Sequence, residues 1–169
     1  LADATLIVPG VLNGSRGRLY YPPDEVGKNL TQWDKTPMVV YHPRVGDNHV
    51  SATTPGVLDD SGIGFNQRNR YEDKHKSELW FDEVRTNNYD KRLKDEHRIM
   101  PRLLAGKAIS LSTGLYTDNI AMRGKDPLTG REYDAVARNY RPDHLAILPD
   151  QQGACSISDG CGVNVNSNP

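Results

Sequence analysis

No apolar run in the chain approaches the roughly 18 residues that a membrane-crossing helix needs, so no membrane partner is expected. Net charge is nearly absent as well. The 21 Lys and Arg stand against 22 Asp and Glu, a formal balance of -1. A global basic footprint is missing, and no nucleic-acid partner is expected. Cysteine is scarce, with only 2 in the chain, Cys155 and Cys161 in GACSISDGCGV. Their spacing does not match the usual zinc patterns and no histidine lies near them in sequence, so no metal is expected. They either close a small disulfide loop or stay reduced. Internal repeats and heptads are absent. The opening LADATLIVPG has no basic n-region and no long h-region, so it is not read as a signal peptide. Without an initial Met, it reads as a trimmed or processed start.

What is present suits one domain. A chain of 169 residues can bury a real core, and 36% hydrophobic with 25% charged residues describes a soluble globular protein. The pattern is mostly strands. ATLIVPGVLN and GRLYYP read as the first strands, joined by NGSRG. PDEVGKNLTQW reads as a short helix, opened by Pro22 and Pro23 with Asp24 available to cap it. PMVVYHP is a short strand, TPGVLDDSGIGF an interrupted one, and SELWFDEV another. NNYDKRLKDEHRIMPRLLAG is the best helix. Asn87 or Asn88 would cap it, Pro101 would kink it and Gly106 would end it. KAISLSTGLYTD, REYDAVARNYRPD and HLAILPD follow as three strands. Residues 44–54 and 119–130 read as long loops. Residues 151–169 read as a polar loop or extended tail rather than packed structure, after a domain at 1–150. The expected fold class is α+β, β-dominant: a small closed or half-closed β-barrel with flanking helices.

The five histidines divide by context. His49, His75 and His97 sit in polar runs and read as solvated. His42 ends an apolar strand, and Pro43 holds it extended. His144 begins another apolar strand, with Asp143 just before it. Between them in sequence, Ser110, Ser112 and Gly114 share one face of a third strand. A serine hydroxyl is a poor nucleophile and needs a base beside it. Imidazole titrates near neutral pH and suits that role. A third group must fix the base's tautomer; a second histidine can accept the same hydrogen bond that an acid usually accepts. The parts of a Ser-His-His triad are therefore present, although sequence order cannot establish geometry.

Three segments carry a family resemblance over about residues 5 to 163. PMVVYHP, AISLSTGLY and RNYRPDHLAILPDQQGACSISDGC resemble segments of the prohead (head-maturation) proteases of tailed bacteriophages, whose fold is related to herpesvirus assemblin. The resemblance implies a serine endopeptidase working through an acyl-enzyme, with no cofactor. It implies Ser112 as nucleophile, His42 as general base and His144 as third member. Ser110 is the alternative nucleophile, and Asp143 the alternative third member. Gly114, Arg138 and Arg141 are the candidates for oxyanion support. The implied substrates are the major capsid protein, the scaffold protein and the chain's own linkers. The implied setting is the host cytoplasm, inside the assembling procapsid. A homodimer is the candidate assembly, with the region of NNYDKRLKDEHRIMPRLL as a candidate surface. Three other readings stand beside this one: an inactive structural component of the head, a capsid-binding module that acts through its tail, and an esterase. The last lacks the G-x-S-x-G elbow of such enzymes.

Overall fold

A computed structural model describes residues 1–165. Strand β1 spans Ala2–Ile7 and Pro9 separates it from β2, Gly10–Gly14. Two residues, Ser15 and Arg16, then turn the chain into β3, Gly17–Tyr21. Gly17 takes φ +93°, a conformation that a side chain would strain. Helix α1, Pro23–Val26, and a 3-10 turn at Leu30–Trp33 lead to β4, Pro37–Val40. A small hairpin of β5, Arg44–Val45, and β6, Asn48–His49, stands apart from the main sheet. Helix α2, Val57–Ser61, precedes β7, Gly62–Tyr71, and β8, His75–Phe81. Helices α3, Glu83–Asp90, and α4, Ile99–Leu104, come before the long strands β9, Ser110–Lys125, and β10, Glu132–Leu148. Strand β11, Gly162–Val163, comes last among the described residues.

The fold is β-dominant with few helices, and its main sheet curls into a half-barrel. The strand order is β11-β1-β8-β7-β4-β10-β3-β2, with β9 paired to β10. Strand β10 is the spine. One part runs parallel to β3 and a later part runs parallel to β4, while β9 lies antiparallel along its other edge. An isolated bridge between Ile109 and Val163 links the start of β9 to the far end of the sheet. Met38, Ile63, Leu79, Ile109, Leu145 and Ile147 are fully buried in the core. Each such side chain stabilises the fold by about 1.5–3 kcal/mol relative to exposure.

Several expectations are corrected. The long helix expected from Asn87 to Gly106 is two helices. Asp82 caps α3 by accepting from the Arg85 N–H at 3.0 Å, and Asn87 and Asn88 lie inside the helix. Asp90 then bridges to α4, accepting from the N–H groups of Ile99 at 2.7 Å and Met100 at 2.8 Å. Pro101 sits in the first turn of α4, where its missing N–H is no loss, and so produces no kink. Asp24 does not cap α1; its carboxylate pairs with Arg138 at 2.9 Å. TPGVLDDSGIGF holds helix α2 before β7 begins. The loop expected at 119–130 is mostly strand, because β9 continues to Lys125 and turns back tightly at Asp126. The last two expected strands are one strand, β10, whose interruptions are bulges and not ends.

His75 is not solvated. It is fully buried, with its ring edge-on to Trp33 at 4.8 Å between centroids and Nε2 at 2.8 Å from Asn69 Oδ1. Nor is the C-terminal segment loose as far as residue 165. Cys155 and Cys161 form a disulfide, Ser156 binds the Asp159 carboxylate, and β11 pairs with β1. Gly, Ser and Asn give the segment a disordered look, but one covalent link and one strand pairing offset the lost entropy. The remainder of the expected tail, 166–169, lies outside the described residues.

Candidate active site

Strand β4 delivers His42 to the site by ending early. Tyr41 takes the left-handed φ of 64°, and its N–H donates to the Ile147 carbonyl at 3.0 Å. The Tyr41 hydroxyl donates to Asp150 at 2.7 Å and fixes the turn. The His42 ring then lies beside His144, with Nδ1 at 2.8 Å from His144 Nε2 and ring centroids 5.0 Å apart.

Strands β9 and β10 deliver the rest. His144 pairs across the sheet with Gly114, and Ala146 with Ser112. The register shifts between Pro142 and His144, so Asp143 is an extra residue in a bulge. The bulge turns Asp143 back toward its neighbour, and His144 Nδ1 lies 2.7 Å from Asp143 Oδ2. Gly114 has a specific steric reason. The His144 ring lies directly over it, and a Cβ there would overlap Cε1, Nε2 and Nδ1 of that ring. Its place is a floor for the third member of the site.

The structure sets the alternatives His144 and Asp143 in series. His144 touches His42, and Asp143 touches His144. Asp143 also accepts from the Ser51 hydroxyl and from the Ala52 N–H at 2.9 Å. Burial alone would raise its carboxyl, but the hydrogen bonds from Ser51, Ala52 and His144 outweigh burial and hold it below the usual carboxylate range. An ionised carboxylate only accepts, so His144 carries its proton on Nδ1. In a neutral imidazole so arranged Nε2 is the acceptor, and the matching donor is His42 Nδ1. His42 Nε2 is left with a lone pair, the state a general base requires. Burial, with help from His144, His49 and Arg44, pushes the His42 pKa down to about 4. His42 is thus neutral at neutral pH.

Ser112 lines the same cleft of about 860 Å³ as His42, Gly114, Asp143 and His144. Its hydroxyl makes no hydrogen bond among the described residues, so the contact to His42 that a ready nucleophile makes is not formed. Ser110 is buried and does not line the cleft. The two arginines considered for oxyanion support face elsewhere. Arg138 pairs with Asp24 at 2.9 Å and with Glu25 at 3.5 Å. Arg141 pairs with Asp118 at 3.2 Å, and neither arginine lines the cleft. Arg16, from the β2–β3 turn, does line it and has no ion pair among the described residues. Gln151, Gln152 and Gly153 form part of the wall, so the stapled C-terminal segment belongs to the site. Among the described residues, no group of three or more His, Cys, Asp or Glu could hold a metal ion.

Sequence reasoning missed Ser51, Ala52 and Arg16. Ser51 lies far along the chain from Asp143, and no local pattern links them. Arg16 had a signal, since a two-residue turn between strands projects its residues at a sheet end. No family model matches the chain, and no characterised protein or solved structure was found to match it either.

Proposed function

We propose that the chain is a serine endopeptidase of phage head maturation. Its substrates would be segments of the scaffold and major capsid proteins, with its own linkers, inside the assembling procapsid in the host cytoplasm. The observation that carries this reading is the 2.8 Å hydrogen bond between His42 Nδ1 and His144 Nε2 on a cleft that Ser112 also lines. The resemblance of PMVVYHP, AISLSTGLY and RNYRPDHLAILPDQQGACSISDGC to prohead protease segments supports the choice of substrate.

In the proposed mechanism His42 Nε2 takes the Ser112 hydroxyl proton as Oγ attacks the scissile carbonyl carbon. His144 holds the His42 ring and its tautomer. His42 gives the proton to the leaving amine as the C–N bond breaks, leaving an acyl-Ser112. Water then loses a proton to His42 and attacks the acyl carbon, and the proton returns to Ser112 Oγ as the ester breaks. The reaction draws on no cofactor.

A second reading, an inactive structural component of the head, is favoured by one observation: the Ser112 hydroxyl has no bond to His42. Co-expression with the capsid and scaffold proteins, read by intact mass, separates the two. Processing that disappears in a folded Ser112→Ala variant supports the protease. Processing unchanged in both Ser112→Ala and Ser110→Ala contradicts it.

A further inference from the structure

We infer that Asp143 and Ser51 are positioning residues that lock the His42–His144 pair into the one hydrogen-bonding sense that leaves His42 Nε2 unprotonated. The inference rests on the reading of His42 as base and Ser112 as nucleophile. It concerns a weakness of any pair of neutral histidines. Two neutral imidazoles can hydrogen-bond in either sense. In one sense His42 Nδ1 donates to His144 Nε2, and His42 Nε2 is free to take a proton. In the other, His144 Nε2 donates to His42 Nδ1. His42 Nε2 then carries the proton, and the pair contains no base for Ser112.

The 2.8 Å contact alone does not choose between these senses. Asp143 does. Its Oδ2 lies 2.7 Å from His144 Nδ1, and its side chain is only 13% exposed. A carboxylate in that position accepts a proton-bearing Nδ1 and repels the lone pair of the reversed tautomer. Three donors face this carboxylate: the Ser51 hydroxyl, the Ala52 N–H and His144. They keep it ionised and aimed. The Ser51 hydroxyl is itself braced, accepting from the Thr53 N–H at 3.1 Å with Thr53 Oγ1 at 2.8 Å, and Ala52 is fully buried. The remaining groups that bear on His42 are the His49 ring at 5.9 Å and Arg44, which touches His49 at 3.2 Å. Neither contacts His144, so neither sets the sense of the pair. No proton leaves the imidazoles toward Asp143 in this scheme. The serine proton stops on His42 Nε2.

The test uses the full chain labelled with [15N]histidine. Imidazole long-range proton–nitrogen correlation spectra are recorded near pH 7.5 for wild type, Asp143→Asn and Ser51→Ala, and assigned with single His→Gln variants. In wild type, His42 and His144 are both expected as Nδ1–H tautomers. Asp143→Asn, which can donate as well as accept, is expected to yield a mixed or reversed pair. In parallel, the second-order rate of Ser112 modification by a fluorophosphonate is measured. There Oγ displaces fluoride from phosphorus and the serine proton passes to His42. Asp143→Asn is expected to lower that rate about 10²-fold. The drop is smaller than the ~10⁴-fold of a directly contacting triad aspartate because Asp143 acts through His144. Ser51→Ala is expected to lower it about tenfold. Wild-type tautomers and rate in Asp143→Asn overturn the inference while the protease reading survives. Tautomers that shift as expected in a chain never modified at Ser112 support the locked pair and contradict the protease. If Asp143→Asn does not fold, Ser51→Ala decides, and a wild-type rate of Ser112 modification in that variant overturns the inference.

Discussion

Replacing Gly114 by Ala should disconnect the histidine pair without removing any titrating group. The added Cβ falls on the His144 ring, well inside the 3.0 Å limit that real Cβ atoms respect, whereas ordinary contact begins at 3.4 Å. Strand β9 is pinned to β10 along its length, so the ring is what must yield. A retreat of about 1 Å stretches the 2.8 Å His42–His144 bond beyond hydrogen-bonding range. Misplacement by about 1 Å at a reacting centre reduces rate about 10²-fold. Overpacking also destabilises by about 1–3 kcal/mol, which lowers Tm by roughly 2–4 °C per kcal/mol in a chain of this size. The assay pairs fluorophosphonate labelling of Ser112 with thermal unfolding. Gly124→Ala is the comparison, because its Cβ would overlap the Tyr133 hydroxyl far along the β9–β10 arm, away from the cleft. Both variants should lose stability, and only Gly114→Ala should lose labelling. Gly114→Ala that labels at the wild-type rate would refute the geometric argument.

Other outcomes follow from burial and charge. The labelling rate should persist as pH falls past 6.5 and drop only near pH 4, because His42 protonates at about 4; an inflection near 6.5 contradicts the burial argument. Stability should fall on acidification through a related window. The fold holds His42 and His75 neutral, with pKa values lowered by burial to about 4 and about 3, so protons bind the unfolded chain first. Urea unfolding should lose about 3 kcal/mol from His42 and about 4 kcal/mol from His75 between pH 6.5 and 3, and His75→Gln should flatten that loss. Replacing Cys155 and Cys161 by Ser opens a short loop and should reduce stability by about 2 kcal/mol on chain-entropy grounds, read as a lower Tm. Asp90→Ala strands the N–H groups of Ile99 and Met100, and should destabilise by about 2–3 kcal/mol in urea titrations.

Much of the site was legible because strand periodicity reports faces. Ser112 and Gly114 fell on one face of β9, and His42 at the end of β4, by counting alone, whereas His144, expected to open a strand, lies inside β10. What escaped depended on departures from regularity. Asp143 was named as an alternative to His144, but that a bulge sets the two in series was not legible, since a bulge leaves no mark in a period-2 pattern. His42 meets His144 through a left-handed Tyr41, a conformation that a non-glycine residue does not advertise. His75 was readable in principle, since His75, Ser77 and Leu79 alternate as buried positions of β8. The flanking Lys74 and Lys76 masked that signal. Strands β9 and β10 were cut short because bulges interrupt their alternation, although the DPLTG turn marks a hairpin. The C-terminal segment was misjudged because composition reports chain entropy and says nothing of a disulfide or of a strand borrowed by β1.

The most direct test is fluorophosphonate modification of the full chain near pH 7.5, with the modified residue located by peptide mass spectrometry in wild type, His42→Ala and Ser112→Ala. An adduct on Ser112 that vanishes in both folded variants is the result expected of a serine nucleophile served by the His42–His144–Asp143 series. An adduct on another residue, or none in folded wild type, would contradict it.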